Sequence, residues 1–231
     1  MAFYLRGALV ELMPTGLIPI PNVIIFQYNP ETMVHSWTQP EAPDAGPNQA
    51  QTNPLAVKGN PGESFSFTLV MDSDDSVADG LQPAAAFAAV SGVYTRLAAL
   101  EMLLYPASST TGGLLGTVTA GTAGSASGTK RNVPANKLNT VLFVWGPGRI
   151  VPVRVTGLTI TERIYDKLLN PTHAEAQIQL RVLTDDELTK NTDALAKVAR
   201  AANKYSQGLR KALAVANLGN AADSIAGMLP I

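Results

Sequence analysis

The chain contains no cysteine and only two histidines in 231 residues. Without cysteine it can form no disulfide, present no thiol nucleophile and bind no metal through thiolates. The histidines, His35 and His173, have no second histidine at the spacing of a zinc-binding helix, so each is interpreted as a packed or solvent-facing side chain. Stability must therefore come from a buried core or from assembly.

Charge is also scarce. Charged residues make up 15% of the chain, and the formal net charge is -1. Soluble proteins usually carry about a quarter charged residues, so we expect protein partners to cover part of this surface. A nearly neutral chain is not drawn to nucleic acid or to anionic membranes by its overall charge. We therefore expect no nucleic-acid partner.

Targeting and membrane signals are missing as well. The opening stretch MAFYLRGALVELMP has no apolar core followed by a small-residue cleavage site, so it does not resemble a signal peptide. The most apolar stretch, residues 81–105, is rich in alanine and carries Arg96 and Glu101. Those features disfavour a membrane span and favour a buried helix, predicted over residues 83–104. We expect a cytoplasmic protein without membrane insertion.

What the sequence does contain is a strong β pattern. In GESFSFTLVMD the residues Phe65, Phe67, Leu69 and Met71 alternate with small polar ones, which predicts a strand with one buried face. The apolar phase shifts by one residue at Gly157, which indicates a β-bulge or a strand bend. Further strands are predicted at residues 4–13 and 23–28, in the short segment ETMVHSW, and in TVLFVWG, RIVPVRV, LTITERI and AEAQIQLRVL.

The fold class follows from this count. Six to eight strands and one packed helix predict an α+β, mainly β protein built as a small barrel. We divide the chain into a β-barrel domain at residues 1–185 and a helical tail at residues 186–231. Two long loops interrupt the barrel: the proline-rich residues 39–61 and the Gly/Ser/Thr-rich residues 106–139.

The tail has a seven-residue repeat. Its apolar positions predict a seam like that of a coiled coil, with basic residues on the other faces. Asp185 and Asp186 fall at the helix start, where carboxylates favour the helix dipole. The seam residues are Leu188, Leu195, Val198, Ala202, Tyr205, Leu209, Ala212 and Ala216.

No stretch of the sequence matches an enzymatic motif in full. DSDDSVADG spaces acidic residues by two from Asp72, but Val77 and Pro83 replace the glycine and the glutamate that a calcium loop needs. GSASGTK has the wrong glycine spacing for a phosphate-binding loop, and its lysine follows the threonine. There is no G-x-S-x-G elbow. We therefore expect a protein that is not an enzyme and that binds no metal or cofactor.

Three motifs occur in a specific order. FQYNPETM follows a short strand, GESFSFTLVMDSDD forms a strand that ends in aspartates, and LFVWGPGRIVPVRVTGLTITERIYDKLLNPTHAEAQIQLRVL closes the β region. Together they are spread over most of residues 3–185. This ordered combination resembles the tube-protein domain of contractile injection systems, the phage-tail-like particles.

The resemblance implies a structural role. Members of that family form six-fold rings of β-barrels, and many join the inner tube to the spike hub. Applied to this chain, it implies a hexamer that contacts an inner tube protein, a spike or hub protein and other baseplate proteins. Four segments would build the ring: residues 23–37, 63–72, 140–165 and 173–183. Many members carry a LysM module after the barrel, whereas this chain has the helical tail, which becomes the candidate for binding the hub.

Eight residues are the candidate protein-interface residues: Asn29, Pro30, Glu31, Leu188, Leu195, Val198, Tyr205 and Leu209. The first three form the turn that stops the second strand, and they either contact a neighbouring subunit or only hold the turn. Two other functions stay open. One is a monomeric cargo or effector of such a particle, and the other is a monomeric ligand-binding β-barrel.

Overall fold

The computed structural model describes residues 4–13, 21–40, 55, 57, 59–74, 91–106, 137–190 and 194–228. The strands are β1 Ala8–Leu12, β2 Pro21–Ile25, β3 Met33–Thr38, β4 Gly62–Asp72, β5 Thr140–Val144, β6 Ile150–Tyr165 and β7 Pro171–Val182. The helices are α1 Tyr94–Met102, α2 Asp185–Lys190 and α3 Ala194–Met228. The predicted loops at 39–61 and 106–139 lie mostly outside the described residues.

All seven strands belong to one antiparallel sheet in the order β2-β1-β5-β6-β7-β4-β3. This confirms the α+β, mainly β fold class. β2 and β3 stand at the two ends of the strand order, and the backbone pairings of the described residues do not join them. Closure of the sheet into a barrel therefore stays a prediction.

The core lies on one face of the sheet. Phe65, Phe67, Leu69 and Met71 are all buried, as their alternation in the sequence predicted. Phe143 of β5 joins them, with its ring centroid 5.2 Å from that of Phe65 and 5.5 Å from that of Phe67. Aromatic packing of this kind fills the space that the sheet partly encloses.

β6 and β7 form the longest hairpin of the described chain. Their register shifts between Val155 and Gly157, which confirms the irregularity predicted at that glycine. A Cβ atom at Gly157 would lie 3.1 Å from the side-chain amide oxygen of Gln179, so the bulge leaves little room for a side chain. Two further register shifts follow, the first between Glu162 and Ile164. Irregularities of this kind increase the local twist of a strand pair.

The second strand is shorter than predicted. It ends at Ile25 instead of residue 28, because the chain leaves the ladder to place Phe26 in the core, 5.6 Å from Phe67. Gln27 then contacts the last residue of β4, a strand near the other end of the strand order. Its amide donates to the carbonyl oxygen of Asp72 at 2.7 Å and accepts from the N–H of Asp72 at 3.0 Å. One side chain thus ties the end of β2 to the end of β4 in the manner of a strand pair.

The helix predicted over residues 83–104 is interrupted at Gly92 and Val93, between the helical Ser91 and α1. Gly92 adopts a left-handed φ of +59°, and the N–H of Val93 donates to the carbonyl oxygen of Pro171 at 2.9 Å. Residues 75–90 lie outside the described part. The packing prediction is confirmed, since Leu97 and Leu100 of α1 are buried in the core.

The helical tail starts with a capping box. Thr184 Oγ1 accepts a hydrogen bond from the N–H of Glu187, and the Glu187 carboxylate accepts from the N–H of Thr184 at 2.9 Å. Partial burial opposes ionisation of this carboxyl, but hydrogen bonds from Thr184 and Arg181 outweigh it and lower the pKa of Glu187. α2 is thereby fastened to the end of β7.

The first half of α3 packs on the sheet through only part of the predicted seam, such as Ala202, which packs against Leu142 and Leu188. Its buried residues are Ala196, Ala199, Asn203 and Ser206. Seam residues Val198 and Tyr205 are instead 48% and 51% exposed. The buried face is therefore rotated by one position along the helix, and it uses small and polar side chains. From residue 211 to residue 219 every side chain is exposed.

Candidate interaction surfaces

Two strands present long open edges on opposite sides of one part of the sheet. β5 pairs with β6 only as far as Val153, so residues 154–165 pair with β7 alone. β3 pairs with β4 on one side and ends the sheet on the other. Among the described residues, the four strands β6, β7, β4 and β3 thus form a unit whose backbone edge is unpaired at each end, and such an edge is a ready template for pairing with another strand.

The face of this four-stranded unit that points away from the core is mostly polar. It also carries the charged Arg154 and Arg181, which lie opposite each other on β6 and β7. Neighbouring strands place side chains with hydroxyl or amide groups in rows, such as Thr159 beside Gln177 and Gln177 beside Thr68. The charged groups Arg163 and Glu175 pair with each other at 2.9 Å. This polar face comprises Ser36, Thr38, Ser64, Ser66, Thr68, Thr159, Thr161, Gln177 and Gln179.

Asn29 holds the turn that the sequence predicted. Its side-chain oxygen accepts from the N–H of Gly7 and its amide nitrogen donates to the carbonyl oxygen of Leu5, both at 2.8 Å. The side chain therefore acts as a strand partner for the segment before β1, which favours the turn-holding interpretation of this residue. Pro30 and Glu31 have no such role, and Glu31 is exposed.

The same turn forms one wall of an open groove of about 500 Å³, called here the turn groove. Its opposite wall is the end of β4 with His173 of β7, and His173 Nδ1 lies 3.3 Å from Asp72 Oδ2. The apolar part of the lining comes from Tyr28, Pro30 and Val70, beside the exposed carboxylate of Glu31. The groove thus combines an apolar strip with an acidic rim.

The tip of the β6–β7 hairpin, residues 166–170, is a rigid turn that exposes two leucines. The Asp166 carboxylate accepts hydrogen bonds from the N–H groups of Leu168 and Asn170, at 2.7 and 2.8 Å, and from the Asn170 side-chain amide at 2.9 Å. These bonds, led by those from Asn170, lower the pKa of Asp166. Leu168 and Leu169 are 76% and 80% exposed, and Leu169 has a φ of +65°. A strained backbone that keeps two leucines in water is a candidate contact site.

Sequence reasoning missed the polar cluster that joins the tail to the sheet. Glu63 of β4 is buried, and its carboxylate accepts hydrogen bonds from both terminal nitrogens of Arg210, one of them at 2.8 Å. His35 Nε2 lies 2.8 Å from the same carboxylate, and its ring stacks on Phe65. The packed interpretation of His35 is thereby confirmed. Arg149 lies nearby. Its partial burial and the positive charge of Arg210 together lower the pKa of Arg149.

A smaller cleft of about 280 Å³ lies between this cluster and the end of β7. Trp37 forms its rim, with the Arg210 guanidinium 5.0 Å from the ring centroid. Asn203 on the helix side donates to the Asp185 carboxylate at 2.6 Å, which ties α3 to α2. The cleft is narrow and its polar groups are largely engaged by each other.

The predicted tail interface is split by the structure. Leu188 is buried against Leu142 and Ala199, so it serves packing within the chain. Leu195 and Leu209 are half-buried, whereas Val198 and Tyr205 are half-exposed on the outer side of α3. The turn residues Asn29, Pro30 and Glu31 lie together, but far along the chain from these positions. The predicted residues therefore belong to two surfaces.

Within the described ranges, no group of three or more histidine and carboxylate side chains is placed to hold a metal ion. No helix in the described part of the chain combines the length and the apolar character needed to cross a membrane.

Comparison with known proteins returned no match to any family model and no match among curated proteins.

Proposed function

We propose that this chain is a structural, non-enzymatic subunit of a contractile injection system, forming a six-fold ring that links the inner tube to the spike hub. The observation that carries the proposal is the four-stranded unit with one open edge on β6 and the other on β3. A unit of this kind can join head to tail with copies of itself. The ordered motifs of the tube-protein domain support the same function.

Strand direction favours this joint. Successive strands in the order β6, β7, β4, β3 are antiparallel, so β6 and β3 run in opposite directions. Rotation about a ring axis roughly parallel to the strands leaves their directions unchanged. The β6 edge of one copy therefore meets the β3 edge of the next as an antiparallel pair, the geometry of every other pairing in the sheet. Repeating the joint closes a ring in which the open edges of β6 and β3 are both paired.

The polar face supports a channel role for the inside of that ring. A continuous sheet made of four-stranded units would present rows of hydroxyl and amide groups along one surface, including Thr68, Thr159 and Gln177. Such a surface is wettable, and its rows of neutral hydroxyl and amide groups offer passing cargo few strong contacts. The partners on the two ring faces would be the inner tube and the hub.

A monomeric ligand-binding barrel is less well supported. The rings of four phenylalanines pack together in the core, with Phe26 only 2% exposed: Phe26, Phe65, Phe67 and Phe143. An internal binding site needs a cavity there. The two grooves described above both open at the surface.

The oligomeric state of the purified full chain tests the proposal. We expect native mass spectrometry and light scattering to show a hexamer at high concentration, and negative-stain images to show rings. Val34→Lys is the matched disruption, because Val34 is an exposed residue of the edge strand β3. Lysine on an edge strand opposes pairing, so this variant should stay folded and monomeric. A wild-type chain that remains monomeric at all concentrations contradicts the ring.

The tail needs a separate test. Residues 211–219 are exposed, whereas the part of α3 before them is docked on the sheet. Truncation after Arg210 should therefore preserve the folded body and the ring while weakening attachment to a co-expressed hub protein. Full co-purification of the truncated chain with the hub would exclude this segment as the hub contact.

A further inference from the structure

The hairpin tip and the turn groove are shaped to meet between two copies of this chain. We propose that the exposed Leu168 and Leu169 of one subunit dock into the turn groove of its neighbour, with Lys167 facing Glu31. This inference rests on the ring proposed above, and it names the side-chain contact that sets the spacing of the subunits.

Position along the strands is the first argument. The open part of β6, residues 154–165, is longer than β3, which spans Met33–Thr38. β3 begins at the same end of the sheet as the hairpin tip, because Met33 lies beside Phe67 and β4 then runs on to Asp72 beside His173. A neighbouring β6 paired with β3 would therefore overhang the start of β3 at about 3.3 Å per residue. The residues just before Met33 are those that line the turn groove.

Shape and polarity are the second argument. The tip is a protrusion whose main side chains are two leucines, each more than three-quarters exposed. The groove, at about 500 Å³, has room for both and offers Tyr28, Pro30 and Val70 as an apolar lining. Burying large apolar side chains in such a site is the usual source of affinity in protein interfaces.

Charge is the third argument. Lys167 is exposed immediately before the two leucines, and Glu31 is exposed beside the apolar lining of the groove. Docking of the leucines would bring these opposite charges together at the rim. Rim charges of this kind mainly select the correct partner and register.

The rigidity of the tip fits a docking role. Asp166 fastens the turn through three hydrogen bonds from Leu168 and Asn170, and Leu169 holds a left-handed conformation that leucine rarely adopts. A preformed contact site loses little conformational entropy on binding. The hydrogen bonds thus keep the leucines presented before the neighbour arrives.

A charge-swap cycle on the full-length chain tests the contact. Lys167→Glu and Glu31→Lys should each weaken assembly about tenfold or more, because each places like charges together at the rim. The double variant should recover assembly to within about threefold of wild type. Leu168→Ser with Leu169→Ser should weaken assembly by about a hundredfold without loss of folding. Each is measured by sedimentation across concentrations, with circular dichroism as the folding control.

Cysteine cross-linking provides a readout independent of affinity. The chain has no native cysteine, so Leu168→Cys with Thr32→Cys places the only two thiols on opposite sides of the proposed contact. A short bismaleimide should produce a ladder of covalent oligomers, and each single-cysteine variant should yield no species beyond a dimer.

The outcomes separate this inference from the ring itself. If rings persist in both single charge-swap variants, the docking contact is overturned and the ring stands. The same holds if the double variant assembles no better than the two single effects added together. If the double-cysteine chain assembles but gives no cross-linked ladder, the docking contact is likewise overturned and the ring stands. A wild-type chain that never assembles overturns both proposals.

Discussion

Arg210 of α3 donates hydrogen bonds to the buried carboxylate of Glu63 on β4, a residue 147 positions away in the sequence. Glu63 has a side chain only 6% exposed, while that of Arg210 is 34% exposed. The pair fixes the point at which the helical tail leaves the body, since every side chain from residue 211 to residue 219 is exposed. This ion pair thus lies at the end of the docked part of α3.

Removing the cation of this pair should destabilise the fold. Arg210→Met leaves the Glu63 carboxylate buried with fewer hydrogen bonds, and the free energy of unfolding should fall by about 2 kcal/mol. We place the value below that of a fully buried pair because Arg210 is partly exposed. Urea denaturation gives the measurement. Lys204→Met, an exposed residue of the same helix, is the control and should change stability by less than about 0.5 kcal/mol.

Two glycines with left-handed backbones should respond differently to alanine. A methyl group at Gly92 would lie 2.1 Å from the carbonyl oxygen of Pro171, whereas Gly146 has no atom within 4 Å of that position. Gly92→Ala should therefore cost about 3 kcal/mol or more, from both strain and overlap. Gly146→Ala should cost about 1 kcal/mol, from strain alone. Thermal unfolding of the two variants checks the difference, and equal losses would contradict the close approach.

Neighbouring positions on α3 should distinguish its docked face from the predicted seam. Ala199 is fully buried against Leu142 and Leu188, so Ala199→Leu should overpack the contact and cost about 1 to 3 kcal/mol. Val198 is 48% exposed, so Val198→Leu should change stability by less than about 0.5 kcal/mol. Urea unfolding followed by circular dichroism measures both. A larger effect at Val198 than at Ala199 would restore the seam.

Acid should loosen the hairpin tip at a pH below the usual range for aspartate. The pKa of Asp166 is lowered from 3.8 by its hydrogen bonds with Asn170 and Leu168. Because the folded-state pKa is depressed, the stabilisation is present above the unfolded value and is lost as pH falls through the folded value. Amide chemical shifts of Leu168 and Asn170 should titrate with a midpoint below 3.8. The Asp166→Ala variant should lack that titration, and a midpoint at or above the usual value would contradict the turn geometry.

Much of the sheet was predictable, because strand periodicity is a local property. The alternation from Phe65 to Met71 predicted both β4 and its buried face, and the phase shift at Gly157 predicted the irregularity in β6. Asn29 was correctly placed in a turn. The end of β2 was misplaced because Phe26 has strand propensity, yet its ring is needed in the core beside Phe67.

The candidate surfaces were much less predictable. Asn29, Pro30 and Glu31 were selected from sequence, but the groove that they line exists only because the end of β4 and His173 face them. The leucines of the hairpin tip lie in the quoted motif, but only their exposure and the backbone of Leu169 mark them as a contact site. Exposure depends on what the rest of the chain covers, which a single-sequence pattern does not contain.

By itself the sequence determined the β-rich class, the strand faces and the presence of a helical tail, since each depends on residues within one turn or one strand of each other. Only the tertiary structure decided which face of that tail is buried. The apolar repeat favoured Val198 and Tyr205, but α3 packs where the sheet offers the backbone of Ile150. Ser206 exchanges two hydrogen bonds with that residue, at 2.7 and 3.1 Å. Small and hydroxyl side chains are buried at this contact because close approach and paired backbone groups stabilise it more than the burial of larger apolar residues would.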